Sequence, residues 1–311
     1  MRIVAAGALL MLALVACSPQ TSGDPDDDGT LRVVATTTQV GSVAAEVGGD
    51  AIDLTVLLKP GVEAHDFELT PEAGAALEQA DLVLISGAGL EDWLDDTLET
   101  IGGADRVRDL SDGVELRAPG DGAVAHDNEQ PDAVDPHYWL SASNAARMVE
   151  NARDALAEAA PDDADGFAER AAELADRLEA ADAEVRTMIG EIPEEDRRIV
   201  TDHDALGYFI DEYGLEFVGS VFSSLDVSSE PSAQEIEALV AEIREQGVTA
   251  IFTESSVNPR LAAAVAEETD ARLVDEPIYT DSLGADGSGA ETLDGMLLHN
   301  ARVIRDGLLG G

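Results

Sequence analysis

Short apolar segments alternate with helix-compatible segments along the first half of the chain. Strand-like runs occupy residues 31–35, 54–58 and 82–85, and apolar residues at helical spacing occupy 43–47 and 71–79. Strands that alternate with helices are typical of a parallel sheet covered on both faces. The pattern therefore predicts an α/β lobe over residues 31–160.

The same alternation returns after Pro193 and predicts a second α/β lobe over residues 194–311. Its expected elements are strands at 198–201, 217–221, 250–253 and 272–274, and helices at 233–246, 259–269 and 293–309.

A different pattern separates the two halves. The segment 143–192 is rich in Ala, Glu, Asp and Arg, and one set of apolar residues in it repeats at helical spacing: Phe167, Leu174, Leu178, Ala181, Val185 and Ile189. Pro161 supplies a break before this stripe and Pro193 an end after it. A helix over 164–191 would be about 40 Å long. We therefore predict a linker helix within 161–193 that acts as a strut between two Rossmann-like lobes.

The N-terminus has the layout of a secretory signal. Arg2 precedes an unbroken apolar run over residues 3–16, which is too short to span a bilayer comfortably. The run ends in Leu14-Val15-Ala16-Cys17, which resembles the lipobox of bacterial lipoproteins, although an ordinary signal-peptidase site near Cys17 is the alternative. We expect a signal peptide over 1–16, a lipid on Cys17 and an acidic, disordered tether over 17–30.

Composition limits the possible partners. The 65 acidic and 18 basic residues give a formal charge of −47, which excludes nucleic acid and disfavours anionic lipid surfaces. Because 45% of the residues are hydrophobic, the chain can nevertheless bury a core. Lys59 is the only lysine. Such a surface suits a high-salt habitat, but a GC-rich genome explains it equally well.

Histidines are the most informative polar residues. Among five, His65, His137 and His203 lie in loop-like contexts beside apolar segments, and the loops after parallel strands are where α/β sheets bind ligands. They lie too far apart in sequence for a compact zinc motif, so any shared site must be assembled by the fold. Taken singly, each histidine is more often a structural residue than a ligand.

Four sequence strings favour a ligand role over a structural role for these histidines: HDFEL at 65–69, DPHYWL at 135–140, HDALGYF at 203–209 and PIYTDSL at 277–283. In this order they resemble the zinc- and manganese-binding receptors of bacterial ABC importers. The resemblance implies two α/β lobes joined by one long helix, with a metal in the cleft held by His65, His137, His203 and Asp281. It also implies an exported protein, attached to the outer face of the membrane by its lipid or located in the periplasm, with a membrane permease as partner. We expect a monomer.

The implied ligand set suits capture better than catalysis. Three imidazoles and one carboxylate satisfy four-coordinate Zn²⁺, with no vacancy required for an activated water. In the family, glutamate at the position of His203 accompanies manganese, so the nitrogen here favours zinc, with Mn²⁺ as the second candidate. His126 is expected in a solvated acidic loop, and His299 within the last helix. Tryptophans 93 and 139 are expected in the core or the cleft wall.

Two alternatives stay open. An exported zinc hydrolase could use the three histidines as ligands and Asp281 or Glu254 as general base, although no His-Glu-x-x-His motif is present. A surface adhesin could hold the metal only as a structural element. Reversible metal exchange by a protein that stays folded would separate a receptor from the adhesin.

The first prediction concerns the anchor. Cys17→Ser should release the protein from membranes, because the substituted chain cannot accept a thioether-linked lipid. Membrane and soluble fractions of cells that express each form measure the change. If the variant stays as firmly attached as the wild type, the lipid assignment is wrong.

Overall fold

The computed structural model describes residues 30–310 apart from 66, 119–133, 223–226 and 228–229. The expected signal peptide, the lipidated Cys17, nearly all of the tether and the loop with His126 lie outside these residues. From Leu31 onward the described chain forms one compact unit. None of its helices is long and apolar enough to cross a membrane.

Two parallel four-stranded sheets form the framework. The sheet of the N-terminal lobe contains β1 (Leu31–Ala35), β2 (Ile52–Val56), β3 (Leu82–Ile85) and β4 (Val107–Asp109) in the order β2-β1-β3-β4. The sheet of the C-terminal lobe contains β5 (Arg198–Thr201), β6 (Glu216–Ser220), β7 (Ala250–Glu254) and β8 (Arg272–Ile278) in the order β6-β5-β7-β8. Both sheets therefore have the same topology.

Nine α-helices surround the sheets in the described part of the chain: α1 (Thr38–Gly48), α2 (Pro71–Gln79), α3 (Asp92–Ile101), α4 (Ala142–Ala159), α5 (Ala164–Gly190), α6 (Gly207–Tyr213), α7 (Ala233–Gln246), α8 (Arg260–Glu267) and α9 (Leu293–Leu309). Several begin at a side-chain cap. Ser232, for example, forms a full capping box with Glu235 at the start of α7.

Helix α5 is the predicted strut. Its 27 residues bury one stripe that includes Phe167, Leu174, Leu178 and Val185, and the helix packs along α4 and α9. One hydrophobic core runs without interruption from the first sheet through this stripe to the second sheet. Arg177 adds a polar link, since its guanidinium pairs with Glu46 of α1 and lies 3.3 Å from Asp294 of α9.

The predicted fold class is confirmed: two parallel α/β lobes joined by a long helix. Strand β2 covers residues 52–56, so both of its ends lie two residues earlier than those of the predicted segment 54–58. The backbone N–H groups of Leu57 and Leu58 still donate to the carbonyls of Ala35 and Thr36, so pairing continues past the end of the strand. Strand β4 and helices α3 and α6 were not predicted. Two of them are short, with three residues in β4 and seven in α6.

Candidate metal centre

The four candidate ligands all lie near the carboxyl ends of strands or at a turn beside them. His65 lies in the loop after β2, His203 two residues after β5, and Asp281 three residues after β8. His137 immediately precedes a short 3-10 turn, Tyr138–Leu140, that leads into α4. Because both sheets are parallel, these ends collect the four side chains in one cleft, with two from each lobe.

The structure brings the four side chains together. One donor atom from each lies within 4.8 Å of the other three. The Nε2 atoms of His65 and His137 are 3.2 Å apart, and His137 Nε2 is 3.0 Å from Asp281 Oδ1. His203 Nε2 lies 3.2 Å from Asp281 Oδ2. Asp281 and two of the histidines are buried, whereas the His65 side chain keeps 14% of its surface exposed and is the accessible member.

Asp135 fixes the orientation of His137. One carboxylate oxygen, Oδ1, accepts the ring Nδ1–H of His137 at 2.8 Å and its backbone N–H at 3.0 Å. This leaves Nε2 directed at the other donors. Asp135 is tied to the C-terminal lobe, because its carbonyl accepts the Tyr208 hydroxyl at 2.8 Å. Its second carboxylate oxygen lies 3.4 Å from Arg117.

Glu254, the last residue of β7, stands in the same relation to His203. Its Oε2 lies 2.8 Å from His203 Nδ1, and its Oε1 accepts the backbone N–H of His203 at 2.9 Å. Both ring nitrogens of His203 are buried and close to carboxylates, but neither contact has hydrogen-bond alignment among the described residues. A buried Nε2 with a poorly aligned partner suits a metal ligand better than a structural histidine.

Electrostatics couple the imidazoles to the carboxylates. Burial opposes protonation of His137, but the hydrogen bonds and charges of Asp135 and Asp281 outweigh it and raise its pKa to about 9. Burial likewise opposes a charge on His203, yet Glu254 and Asp281 raise its pKa well above the usual value. Burial would raise the pKa of Asp281, but the two imidazoles hold it well below its usual range. Without metal, the carboxylates therefore favour protonated forms of His137 and His203.

Two further carboxylates lie beside the ligands. Asp202 and Asp204 are almost fully buried, and each has one oxygen without a partner in the described chain. Burial, with repulsion from Glu254, raises the pKa of Asp202 to about 7. The neighbourhood of the site therefore carries an excess of acidic groups over basic ones, which favours a cation.

The remaining histidine in the described chain is separate from this cluster. In α9, His299 donates from Nε2 to the carbonyl of Pro277 at 2.9 Å and packs edge-on against Tyr279. Trp93 lies at the edge of the core and donates to the Ala64 carbonyl. Trp139 is fully buried, and its ring centre is 5.6 Å from that of His137.

Sequence reasoning missed the roles of four residues around the ligands. Asp135 and Thr280 were noted only as members of the four strings and Glu254 only as a candidate general base, while Gln39 was not considered. Glu254 carried a signal, because an acidic residue at the end of a fully buried strand needs a buried partner. The contact of Gln39 with Thr280 joins residues 241 positions apart, so it has no local signature.

Fold and site together define a two-lobed metal-binding protein, and comparison with known proteins assigns its family. Residues 33–307 match the family model described as "Zinc-uptake complex component A periplasmic". The chain belongs to this family.

The similarity to named relatives covers nearly the whole chain. It is 30% identical over 304 residues to the manganese-binding lipoprotein MntA of Halalkalibacterium halodurans, covering 96% of both proteins. It is 28% identical over 311 residues to the metal ABC transporter substrate-binding lipoprotein SsaB of Streptococcus sanguinis, covering 97% of both. Among solved structures, the periplasmic zinc-binding protein TroA of Treponema pallidum superposes with a TM-score of 0.80 at 26% identity, over 90% of this chain and 99% of TroA.

The raised pKa of His137 predicts how the metal-free protein responds to pH. Its free energy of unfolding should fall as the pH rises from about 6.5 through about 9, because the folded protein retains a proton that an unfolded chain has lost. Below about 6.5 the stabilisation is fully present. Urea titrations across this range measure the decline.

In His137→Gln the decline should be shallower than in the wild type, because the titrating imidazole is gone. His126→Gln, outside the expected ligand set, is the matched control and should keep the full slope. Equal slopes in the wild type and His137→Gln would contradict the assignment.

Proposed function

We propose that this protein is the extracytoplasmic receptor of a metal ABC importer, which captures a divalent transition metal between its lobes and delivers it to a membrane permease. The convergence of three histidines and Asp281 within 4.8 Å carries the proposal. Four ligand atoms in a tetrahedron, each about 2.0–2.1 Å from zinc, lie about 3.3 Å from one another. The nearest donor pairs, counting either oxygen of Asp281, are 3.0 to 3.8 Å apart, and one donor atom from each residue lies within 4.8 Å of the others.

The donor set favours zinc as the cargo. Three imidazole nitrogens and one carboxylate oxygen suit a four-coordinate ion of intermediate softness, and zinc binds such sites more tightly than manganese does. The named relatives are described as binding manganese, zinc or an unspecified metal. Mn²⁺ is therefore the second candidate cargo.

Capture explains the site better than hydrolysis does. Four protein ligands complete the coordination of zinc and leave no obligatory position for a reactive water. Glu254, the candidate general base of the hydrolase alternative, already contacts the far side of the His203 ring and accepts the Thr280 hydroxyl at 2.6 Å. The relatives named above are binding proteins, SsaB being the substrate-binding lipoprotein of a transporter.

The proposal extends to the cellular setting. A lipid on Cys17 would hold the receptor at the outer face of the membrane, and residues 17–30 would give it reach to the permease. Residues 31–160 and 194–311 would form the two lobes, with 161–193 as the linker. MntA and SsaB are both described as lipoproteins, which supports the anchor. We expect the receptor to act as a monomer.

Alanine substitution of each proposed ligand tests the site. His65→Ala, His137→Ala, His203→Ala and Asp281→Ala should each weaken zinc binding by about 10-fold or more, because the loss of a ligand should cost at least as much as the loss of a ligand's hydrogen-bonding partner. A competition titration of the metal-free soluble domain measures the affinities. His126→Ala is the control and should bind zinc as the wild type does. Unchanged affinity in Asp281→Ala, or equal losses in His126→Ala and His137→Ala, would contradict the ligand set.

The metal preference has its own test. His203→Glu should shift the preference toward Mn²⁺, because a hard carboxylate oxygen replaces an imidazole nitrogen. The ratio of zinc to manganese affinity, measured by the same titration, should fall relative to the wild type. His203→Gln, which supplies a neutral oxygen, separates the effect of charge from that of donor type. A ratio that stays constant in His203→Glu would show that this position does not set the preference.

A further inference from the structure

The loop that carries Asp281 belongs to the C-terminal lobe but is held by the N-terminal lobe. We call residues 280–283 the Asp281 loop. Four hydrogen bonds reach it from across the cleft. Gln39 Nε2 and Trp139 Nε1 each donate to the Thr280 carbonyl at 3.0 Å. Thr38 Oγ1 accepts the Leu283 N–H at 2.8 Å, and Ser282 Oγ accepts the Gly61 N–H at 2.7 Å.

The contact at the Thr280 carbonyl is buried, and both hydrogen-bonding positions of the oxygen are occupied. Gln39, Trp139 and Thr280 are each 0% exposed, so water cannot replace a lost partner. A carbonyl oxygen has two lone pairs, and the amide and indole donors occupy both. A shift of Thr280 would leave two buried donors unpaired at once, which is costly in a dry environment.

The two ligands of the C-terminal lobe differ in this respect. His203 is held by groups of its own lobe: Glu254 accepts its backbone N–H, and the Thr201 hydroxyl donates to its carbonyl at 2.7 Å. The backbone beside Asp281 is fixed by α1 and by the turn at Trp139, both of which belong to the N-terminal lobe. The position of Asp281 therefore depends on how the lobes meet.

Thr280 also connects the two ligands. Its hydroxyl donates to Glu254 Oε2 at 2.6 Å, and the same oxygen lies 2.8 Å from His203 Nδ1. The carbonyl of Thr280 thus faces the N-terminal lobe, while its hydroxyl faces the carboxylate behind His203. A displacement of this residue would move Asp281 directly, whereas His203 keeps its own contacts with Glu254 and Thr201.

We propose that Gln39 and Trp139 are positioning residues for Asp281: they hold the Thr280 carbonyl from the opposite lobe and so make tight metal binding depend on the apposition of the lobes. The inference rests on the proposed function as a metal receptor. Neither side chain is among the four ligands. The Trp139 ring also packs beside His137, so it is the indole N–H, and not the ring, that acts through the Asp281 loop.

Two substitutions remove the donors, Gln39→Met with little change in volume and Trp139→Phe with a smaller ring in its place. Gln39→Met deletes the amide, and Trp139→Phe deletes the indole N–H but keeps an aromatic ring beside His137. Each should weaken zinc binding by about 10- to 100-fold, the range typical for the loss of a group that orients a ligand. Dissociation of zinc into excess chelator should accelerate accordingly. Asn151→Leu is the control, since Asn151 also donates to backbone carbonyls, at Leu110 and Asp112, within one lobe.

A double-mutant cycle separates positioning from a general structural role. If Gln39 acts through Asp281, Gln39→Met should cost little further affinity in an Asp281→Ala background, because the ligand it positions is gone. In a His65→Ala background the full loss should persist. Equal losses in both backgrounds would overturn the proposal.

The outcomes distinguish this inference from the proposed function. A folded wild-type protein that binds neither Zn²⁺ nor Mn²⁺ refutes the receptor itself. A wild type that binds zinc, with unchanged affinity and release rate in Gln39→Met and Trp139→Phe, refutes only the positioning role. Thermal unfolding of each metal-free variant shows whether it folds. Should one of the two fail to fold, Thr38→Val, which removes the acceptor of the Leu283 N–H, takes its place and should also accelerate zinc release.

Discussion

Burial of Asp281 is the constraint on which the site depends, because moving an ionised carboxylate out of water costs several kcal/mol unless nearby charges and hydrogen bonds offset it. Its two oxygens lie within 3.2 Å of imidazole nitrogens from opposite lobes. The carboxylate therefore requires both lobes in place. The continuous core along α5 holds those lobes in the relation that this pairing needs. Packing far from the cleft and charge within it thus support the same arrangement.

The regular elements were largely predictable from the sequence, for physical reasons that differ between them. The stripe of α5 covers many turns, so its period is unambiguous. Strand β3 is a continuous apolar run because both faces of a parallel sheet are covered. Strand β4 has three residues, which are too few to show a hydrophobic period in the sequence. Helix α1 begins at Thr38, where the Thr37 side chain caps it, but the sequence predicted only residues 43–47. The first half of the helix is polar and contains a glycine, so it shows little apolar pattern.

The sequence predicts the candidate ligands only through family resemblance, since spacing alone leaves the role of each histidine ambiguous. What the structure adds is the set of groups behind them. Asp135 lies two residues from His137 and was within reach of local reasoning. Glu254 reaches His203 and Thr280 only after β5, β7 and β8 are aligned in one sheet. Contacts between lobes, such as that of Gln39 with Thr280, require the full tertiary structure.

Protonation of the cleft histidines has a consequence for a chain of net charge −47. Carboxylate neighbours raise the pKa of both His137 and His203, which favours their protonated forms when no metal is bound. A divalent ion that displaces two protons leaves the total charge of the cleft unchanged. The exchange is then electroneutral for the cleft, so the equilibrium affinity depends less on ionic strength than it would if the ion added its full charge. The surface charge still attracts cations, so salt should slow the approach of the ion more than it lowers the final occupancy.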